Sequence, residues 1–317
     1  MNYQSKENAF VNISFYKFVK LHDLDKLKEQ LLSKCLEWEI KGTILLAHEG
    51  INSCLVGKAD NIEHICQFFE SIYAFQGMDF KKSFSSEIPF RRMIIKIKTE
   101  IIPMGIPSID PEKFTGAYVE PLELQRWLSD GEDIVILDTR NDYETALGKF
   151  RCAIDPKLKV FRDIPKWIDE NFTITNKDKK IVTYCTGGIR CEKASAYLRQ
   201  QGFQEVYQIK GGILKYFEET SKKQEQDNFF EGDCFVFDYR VAVDQKLEQA
   251  NYDICYACWT PLTAEDKQSN LYAAKQHCPH CYEIACEKQK KKQILSQENN
   301  SASLAKRIER SKHMRLK

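Results

Sequence analysis

Ile181-Val182-Thr183-Tyr184-Cys185-Thr186-Gly187-Gly188-Ile189-Arg190 is the stretch that decides the fold. Its first four residues, apolar or β-branched, read as a buried strand. A cysteine stands at the carboxyl end of that strand. Two glycines then allow a tight turn with amide groups pointing inward. Arg190 adds positive charge, and Glu192 to Gln200 reads as a helix. A thiol ringed by N–H groups at a helix N-terminus ionises easily. The plain alternative is a core thiol after a strand; the glycines, the arginine and the helix argue against it.

Outward from this run, Ile134 to Leu137 reads as another short buried strand, ending at Asp138-Thr139-Arg140, and Glu205 to Ile209 as a third. Pro121 suits the first position of a helix with Leu124, Trp127 and Leu128 on one face. Strands alternating with helices indicate an open parallel α/β sheet, in which ligands bind beyond the carboxyl ends of the strands. Asp138, Arg140 and Cys185 fall just past such ends. Asp138 either pairs with Arg190 and fixes the loop or caps a turn. Arg140 either meets a phosphate or forms a structural pair with Asp142 or Glu144. Cys191 is read as packing beneath the loop, with a resolving thiol as the alternative.

The first hundred residues predict a β-α-β-β-α-β order, the split ferredoxin-like arrangement. Phe10 to Val19 is a strand, and Leu24, Leu27 and Leu31 share a helix face. Thr43 to Ala47 and Ile51 to Val56 form a hairpin around His48-Glu49-Gly50. Asn61 to Ile72 is a second helix, and Arg92 to Lys98 the closing strand. His48 and Glu49 either touch a nucleotide or are held by the turn itself. Arg91 and Arg92 read as a solvated strand edge. Pro103, Pro107 and Pro111 mark a linker. The expected division is therefore 1–102 as a ferredoxin-like (acylphosphatase-like) domain, 103–120 as linker and 121–222 as a parallel-sheet domain. A cysteine-rich region, 223–287, and a basic tail, 288–317, follow. The fold class is α+β in the first part and α/β in the second.

At 317 residues, 43% hydrophobic and 29% charged, the chain has an ordinary globular composition. The net charge of +1 hides a tail with ten Lys and Arg against two Glu from Lys288 to Lys317. Such a tail is either solvated and disordered or suited to an RNA backbone. No apolar run approaches the ~18 residues of a membrane span, and the first residues lack the apolar core of a signal peptide. The 12 cysteines therefore point to a reducing cytoplasm. Cys255-x-x-Cys258 and Cys278-x-x-Cys281 have the spacing of a four-thiolate zinc site, which is closed and structural. His277 or His280 is an alternative ligand, Cys286 a bystander or replacement, and an empty or redox-active pair the lesser reading.

Cys185 and Arg190 bound a six-member loop, Thr186, Gly187, Gly188 and Ile189 between them. A cysteine phosphatase needs one more residue to wrap a phosphate. The loop and its strand resemble the active loop of rhodanese domains, as does Asp138-Thr139-Arg140-Asn141-Asp142-Tyr143-Glu144. The longer string Tyr184 to Ser195, with Glu49-Gly50-Ile51-Asn52 and the domain order, resembles the oxygen-dependent tRNA uridine hydroxylases over roughly residues 10 to 285. That resemblance implies conversion of wobble uridine to 5-hydroxyuridine, with tRNA as partner and molecular oxygen as co-substrate. It implies Cys185 as the reactive group and Arg190 as a brace for the loop. No iron, flavin or haem motif is legible. Two routes are open: Cys185 adds to C6 of uracil, or carries a persulfide or other oxidised sulfur. A thiosulfate-using loop gains from a cation next to its cysteine, and here the next residues are neutral. A persulfide sulfurtransferase is therefore the competing enzyme reading. A non-catalytic RNA-binding module is the third reading, and the intact cysteine argues against it.

Overall fold

The computed structural model describes residues 10–172, 178–221, 229–255, 257–258 and 260–287. The basic tail, and most of the polar stretch before residue 229, lie outside the described residues. The chain divides into two units, Met1–Asn251 and Tyr252–Lys317.

In the first unit, β1 (Phe10–Phe18), α1 (Leu24–Glu37), β2 (Lys41–Ala47), β3 (Gly50–Gly57), α2 (Ala59–Ser71), β4 (Lys81–Ser85) and β5 (Met93–Ile97) follow in order. The sheet order is β4-β1-β3-β2-β5. Helical spacing buries Leu31 and Cys35 of α1, and Ile62, Ile65, Cys66 and Phe69 of α2. These pack on Ile13, Phe15, Ile44, Leu46, Ile51 and Leu55 of the sheet. One expectation is corrected here. The strand that completes the ferredoxin-like order is Lys81–Ser85, antiparallel to β1. Residues 93–97 form a fifth strand, parallel to β2 on the opposite edge. The sequence Lys-Lys-Ser-Phe-Ser shows no apolar alternation because it is an edge strand, where half-burial suffices.

The second layer system contains β6 (Ala117–Val119), α3 (Pro121–Ser129), β7 (Ile134–Asp138), α4 (Asp142–Thr145), β8 (Gly148–Phe150), β9 (Ala153–Ile154), α5 (Ile164–Asn171), β10 (Lys180–Tyr184), α6 (Ile189–Gln200), β11 (Val206–Ile209) and α7 (Gly212–Thr220). Its sheet order is β6-β11-β10-β7-β9, with every pairing parallel. The three strands read from sequence are its centre; β6 and β9 are short edges, and β6 falls within the expected linker. Both faces are covered, by Leu124, Ile213 and Phe217 on one side and Ile164, Ala194 and Leu198 on the other. That double burial is why the strands lack a polar alternation. β12 (Phe230–Gly232) pairs with β8, and β13 (Cys234–Phe235) with β14 (Ala242–Val243). Residues 229–250 thus pack on this layer system.

In the other unit, β15 (Asp253–Ile254) and β16 (Pro261–Leu262) pair antiparallel. α8 (Ala264–Gln268) starts at a reciprocal capping box between Thr263 and Asp266. Its small core contains Cys255, Leu262, Cys278 and Cys281.

Candidate active site and metal-binding cluster

β10 delivers Cys185 to the point where the sheet's carboxyl ends meet α6. Gly188, at φ +101°, turns the chain into α6, and its N–H donates to the Cys185 sulfur at 3.1 Å. A side chain there would meet the Tyr16 hydroxyl at 2.9 Å. Beneath the loop, Gly212 has φ +67°, and an added Cβ would lie 2.5 Å from the Cys185 carbonyl oxygen. Glycine is therefore required at both positions. Gly187 differs: a Cβ there meets nothing within 4 Å. The loop leaves open space over Gly187.

Burial alone would push the Cys185 thiol up. The Cys191 thiol donating to it, the Arg190 charge and the N–H groups of Arg190 and Gly188 outweigh burial and lower its pKa. Cys191 moves the opposite way, raised by its own burial and by the neighbouring Cys185 charge. Cys191 is fully buried, 3.7 Å from the Thr139 hydroxyl.

Arg190 is held from two sides by Glu144, Nη1 to Oε2 at 2.5 Å and Nη2 to Oε1 at 2.7 Å. Burial opposes the charge on Glu144, but Arg190 holds its carboxyl below the usual range. Of the two readings of Asp138, the pairing with Arg190 is not formed, while the capping of a turn is: its Oδ1 accepts from the Arg140 backbone N–H at 3.0 Å. Asp138 also accepts from the Arg140 guanidinium, whose Nη2 lies 2.7 Å away, and both side chains are 0% exposed. Arg140 also donates to the Gly148 carbonyl. A fully buried guanidinium so engaged cannot meet an RNA phosphate, and its partner is neither Asp142 nor Glu144. Arg240 repeats the motif, folded back on Asp238 at 3.0 Å and donating to the Ser83 hydroxyl of β4 at 2.8 Å.

Cys185 borders a cavity of about 660 Å³. The walls come from the first sheet (Ser14, Tyr16, Cys54, Lys81), the cysteine loop, and the segment after α7 (Phe237, Arg240). Cys185 itself is 0% exposed. The residue thus lines the cavity with no surface exposed to solvent.

The first sheet is tied to α6 by charge and hydrogen bonds. Lys193, 2% exposed, bridges Glu49 at 2.9 Å and Glu100 at 2.7 Å. Tyr16 and Tyr118 donate to Glu192 at 2.8 Å and 2.7 Å. Glu49 thus clasps α6, and it also accepts from the Ile101 N–H. Gly50 leaves no room for a side chain against β1, where a Cβ would lie 2.0 Å from the Lys17 carbonyl oxygen. His48 faces the Leu21 carbonyl at 2.9 Å. Sequence reading missed Tyr16, Lys81 and Lys193. Nothing in a lone tyrosine or lysine marks it as facing a loop more than a hundred residues away.

In the other unit, the Cys255, Cys258, Cys278 and Cys281 sulfurs lie within 4.8 Å of one another. Three separations are 3.8, 3.7 and 3.8 Å. Four sulfurs placed ~2.3 Å from a tetrahedral metal stand about 3.8 Å apart. The cluster can therefore hold a metal ion. His280 is engaged by Asp266 at 3.0 Å and His277 by the Leu271 carbonyl at 3.0 Å, so neither belongs to the set. Cys286 is also outside it.

No described helix is long and apolar enough to cross a membrane. Residues 10–101 match the UPF0176 acylphosphatase like domain and residues 120–219 the Rhodanese-like domain. A solved rhodanese-like domain from Anabaena sp is 24% identical over 37% of this chain and 80% of that chain, at a TM-score of 0.30. A tRNA uridine(34) hydroxylase of Rhizobium leguminosarum bv. trifolii is 45% identical over 88% of this chain and 89% of that protein. One of Acaryochloris marina is 44% identical over 90% of each. With identity at that level along nearly the whole of both relatives, this chain belongs to the tRNA uridine(34) hydroxylase family.

Proposed function

We propose that this chain is an oxidoreductase that converts the wobble uridine of tRNA to 5-hydroxyuridine, with molecular oxygen as co-substrate and Cys185 as the reactive group. The observation that carries this reading is the kinship with two tRNA uridine(34) hydroxylases along nearly the whole chain. The amide-cradled, acidified thiol gives the reading a chemical centre. Thr186, Gly187, Gly188 and Ile189 shape the loop, Arg190 braces it through Glu144, and the Asp138–Arg140 pair fixes the strand end beneath. The working division is a ferredoxin-like domain over 1–102 and a rhodanese domain over 121–222. A cysteine-rich region and a basic tail complete it. Zinc is the metal we assign to Cys255, Cys258, Cys278 and Cys281, because the soft four-thiolate set and its spacing suit zinc. Its role is structural, with all four positions filled by protein. Free thiols throughout, among the described residues, suit a reducing cytoplasm.

Nucleoside mass spectrometry of tRNA from cells lacking the gene tests this directly. 5-Hydroxyuridine should disappear, return with the wild-type chain, and stay absent with Cys185→Ala. Retention of the nucleoside in the deleted strain would overturn the assignment. Sulfur transfer remains the competing chemistry because the loop is of the rhodanese type. The neutralisation of Arg190 by Glu144 counts against it, since thiosulfate is a dianion. A cyanide assay with thiosulfate separates the two.

A further inference from the structure

Among the described residues, four cations border the cavity from buried or half-buried positions, and three of them hold a carboxylate within 3.0 Å. Arg190 is gripped by Glu144. Arg240 is gripped by Asp238 at 2.6 Å. Lys215 is paired with Glu218 at 3.0 Å and Glu219 at 3.7 Å. Lys82 and Arg162 also border the cavity but are exposed.

Lys81 is the exception. Its side chain is 11% exposed, and its nearest carboxylate, on 71%-exposed Asp79, stands off at 3.8 Å. The ammonium lies 5.2 Å from the centre of the Tyr16 ring. Its ε-carbon would stand 3.3 Å from a Cβ placed on Gly211. Gly211 precedes Gly212, the residue pressed under the Cys185 carbonyl, so the Lys81 stem runs along the turn that supports the loop. Burial lowers the Lys81 pKa, and the charges of Asp79 and then of Cys185 oppose that shift. A buried ammonium with no hydrogen-bonded carboxylate is costly, and it is the group best placed to gain from an anion entering the cavity. The cavity that Lys81 shares with Cys185, and the open space over Gly187, give such a ligand room.

We propose that Lys81 is a second catalytic residue, whose ammonium receives the negative charge that passes from sulfur to the uracil ring when Cys185 adds to C6. This rests on the uridine-hydroxylase reading and chooses between its two routes. In the step, the thiolate electron pair forms the S–C6 bond. The C5=C6 π pair moves into the C5–C4–O4 enolate, which the ammonium meets at O4. No oxidant is consumed, and reversal restores thiolate and uracil. While the adduct lasts, C5 takes a proton from water and then releases either hydrogen, so hydrogen at C5 exchanges with solvent. Arg190 cannot serve this purpose, because Glu144 has already neutralised it. The first sheet thereby supplies a reacting group as well as a cavity wall.

The test uses the full chain and a tRNA transcript tritiated at C5 of its uridines, with oxygen excluded. Wild type should release label from one uridine, and Cys185→Ala should release none. Lys81→Met and Lys81→Gln should release it more slowly by about 10²-fold or more, as when one donor to a developing oxyanion is removed. Both should keep thiolate absorbance at pH 8 and a wild-type melting temperature, and Lys81→Arg should regain part of the rate. If one variant fails to fold, the other decides the matter. Release within threefold of wild type by a folded variant overturns the proposal. So does a wild type that makes 5-hydroxyuridine in air yet exchanges no label without oxygen; that result leaves the proposed function standing. A wild type that makes no 5-hydroxyuridine in air sinks the function itself.

Discussion

Replacing Glu144 by Gln should destabilise the larger unit and acidify Cys185 at the same time. Glu144 is 0% exposed and the Arg190 side chain 5%, so neither charge has water to fall back on. With charge centres about 4 Å apart and an effective dielectric near 20, the pair is worth about 4 kcal/mol. That agrees with the ~3–5 kcal/mol typical of removing one partner from a buried pair. For a unit of this size the loss should appear as a melting temperature lower by about 6–20 °C. Arg190→Met should cost a similar amount, because it strands the carboxylate. The two variants part at the cysteine. Removing Glu144 leaves Arg190 free to favour the thiolate, so the Cys185 pKa falls. Removing Arg190 deletes a stabilising charge, so it rises. Urea unfolding of both single variants and the double variant gives the stability cycle, and thiolate absorbance against pH gives the second readout. A double variant losing clearly less than the sum of the singles is expected. Single losses under about 1 kcal/mol, or Cys185 shifts of the same sign in both, would refute the reasoning, since ~1 kcal/mol is what an exposed pair contributes.

Four further outcomes follow from the same geometry. Gly212→Ala should cost about 1–3 kcal/mol from φ +67° and push the loop off its support, lowering hydroxylation more than tRNA binding; steady-state kinetics with separate kcat and KM checks it. Cys185 is drawn from the ordinary thiol value of 9.0 to about 5, so its thiolate stabilises the fold fully above pH 9 and that contribution fades as pH falls toward 5. Cys191→Ala removes a donor and should move the thiolate titration upward, read by absorbance between pH 4 and 9. Lys193→Met strands Glu49 and Glu100, and should cost about 3 kcal/mol while speeding alkylation of Cys185, followed by mass spectrometry. Purified protein should carry one zinc per chain; Cys278→Ser should lose it, as measured by elemental analysis, and melt the smaller unit in chelator.

Local sequence was enough to specify the parallel-sheet core, the cysteine at its carboxyl edge and the paired-cysteine cluster. Each is written in short spans: a β-branched run, two glycines after a thiol, and two C-x-x-C pairs. Backbone sterics and ligand spacing act over a few residues, so local pattern suffices. Which charges meet was settled only by the folded chain. Arg190 took Glu144 rather than Asp138, and Arg140 closed on Asp138, so that each buried guanidinium is matched by a buried carboxylate. The same holds for the polar edge strand Lys81–Ser85, whose sequence carries no strand signal. Its place is fixed by pairing with β1, and that pairing sets Lys81 beside a loop that is distant in sequence. Electrostatic partnership depends on distance in space and on exclusion of water, and neither is encoded in the spacing of residues along the chain.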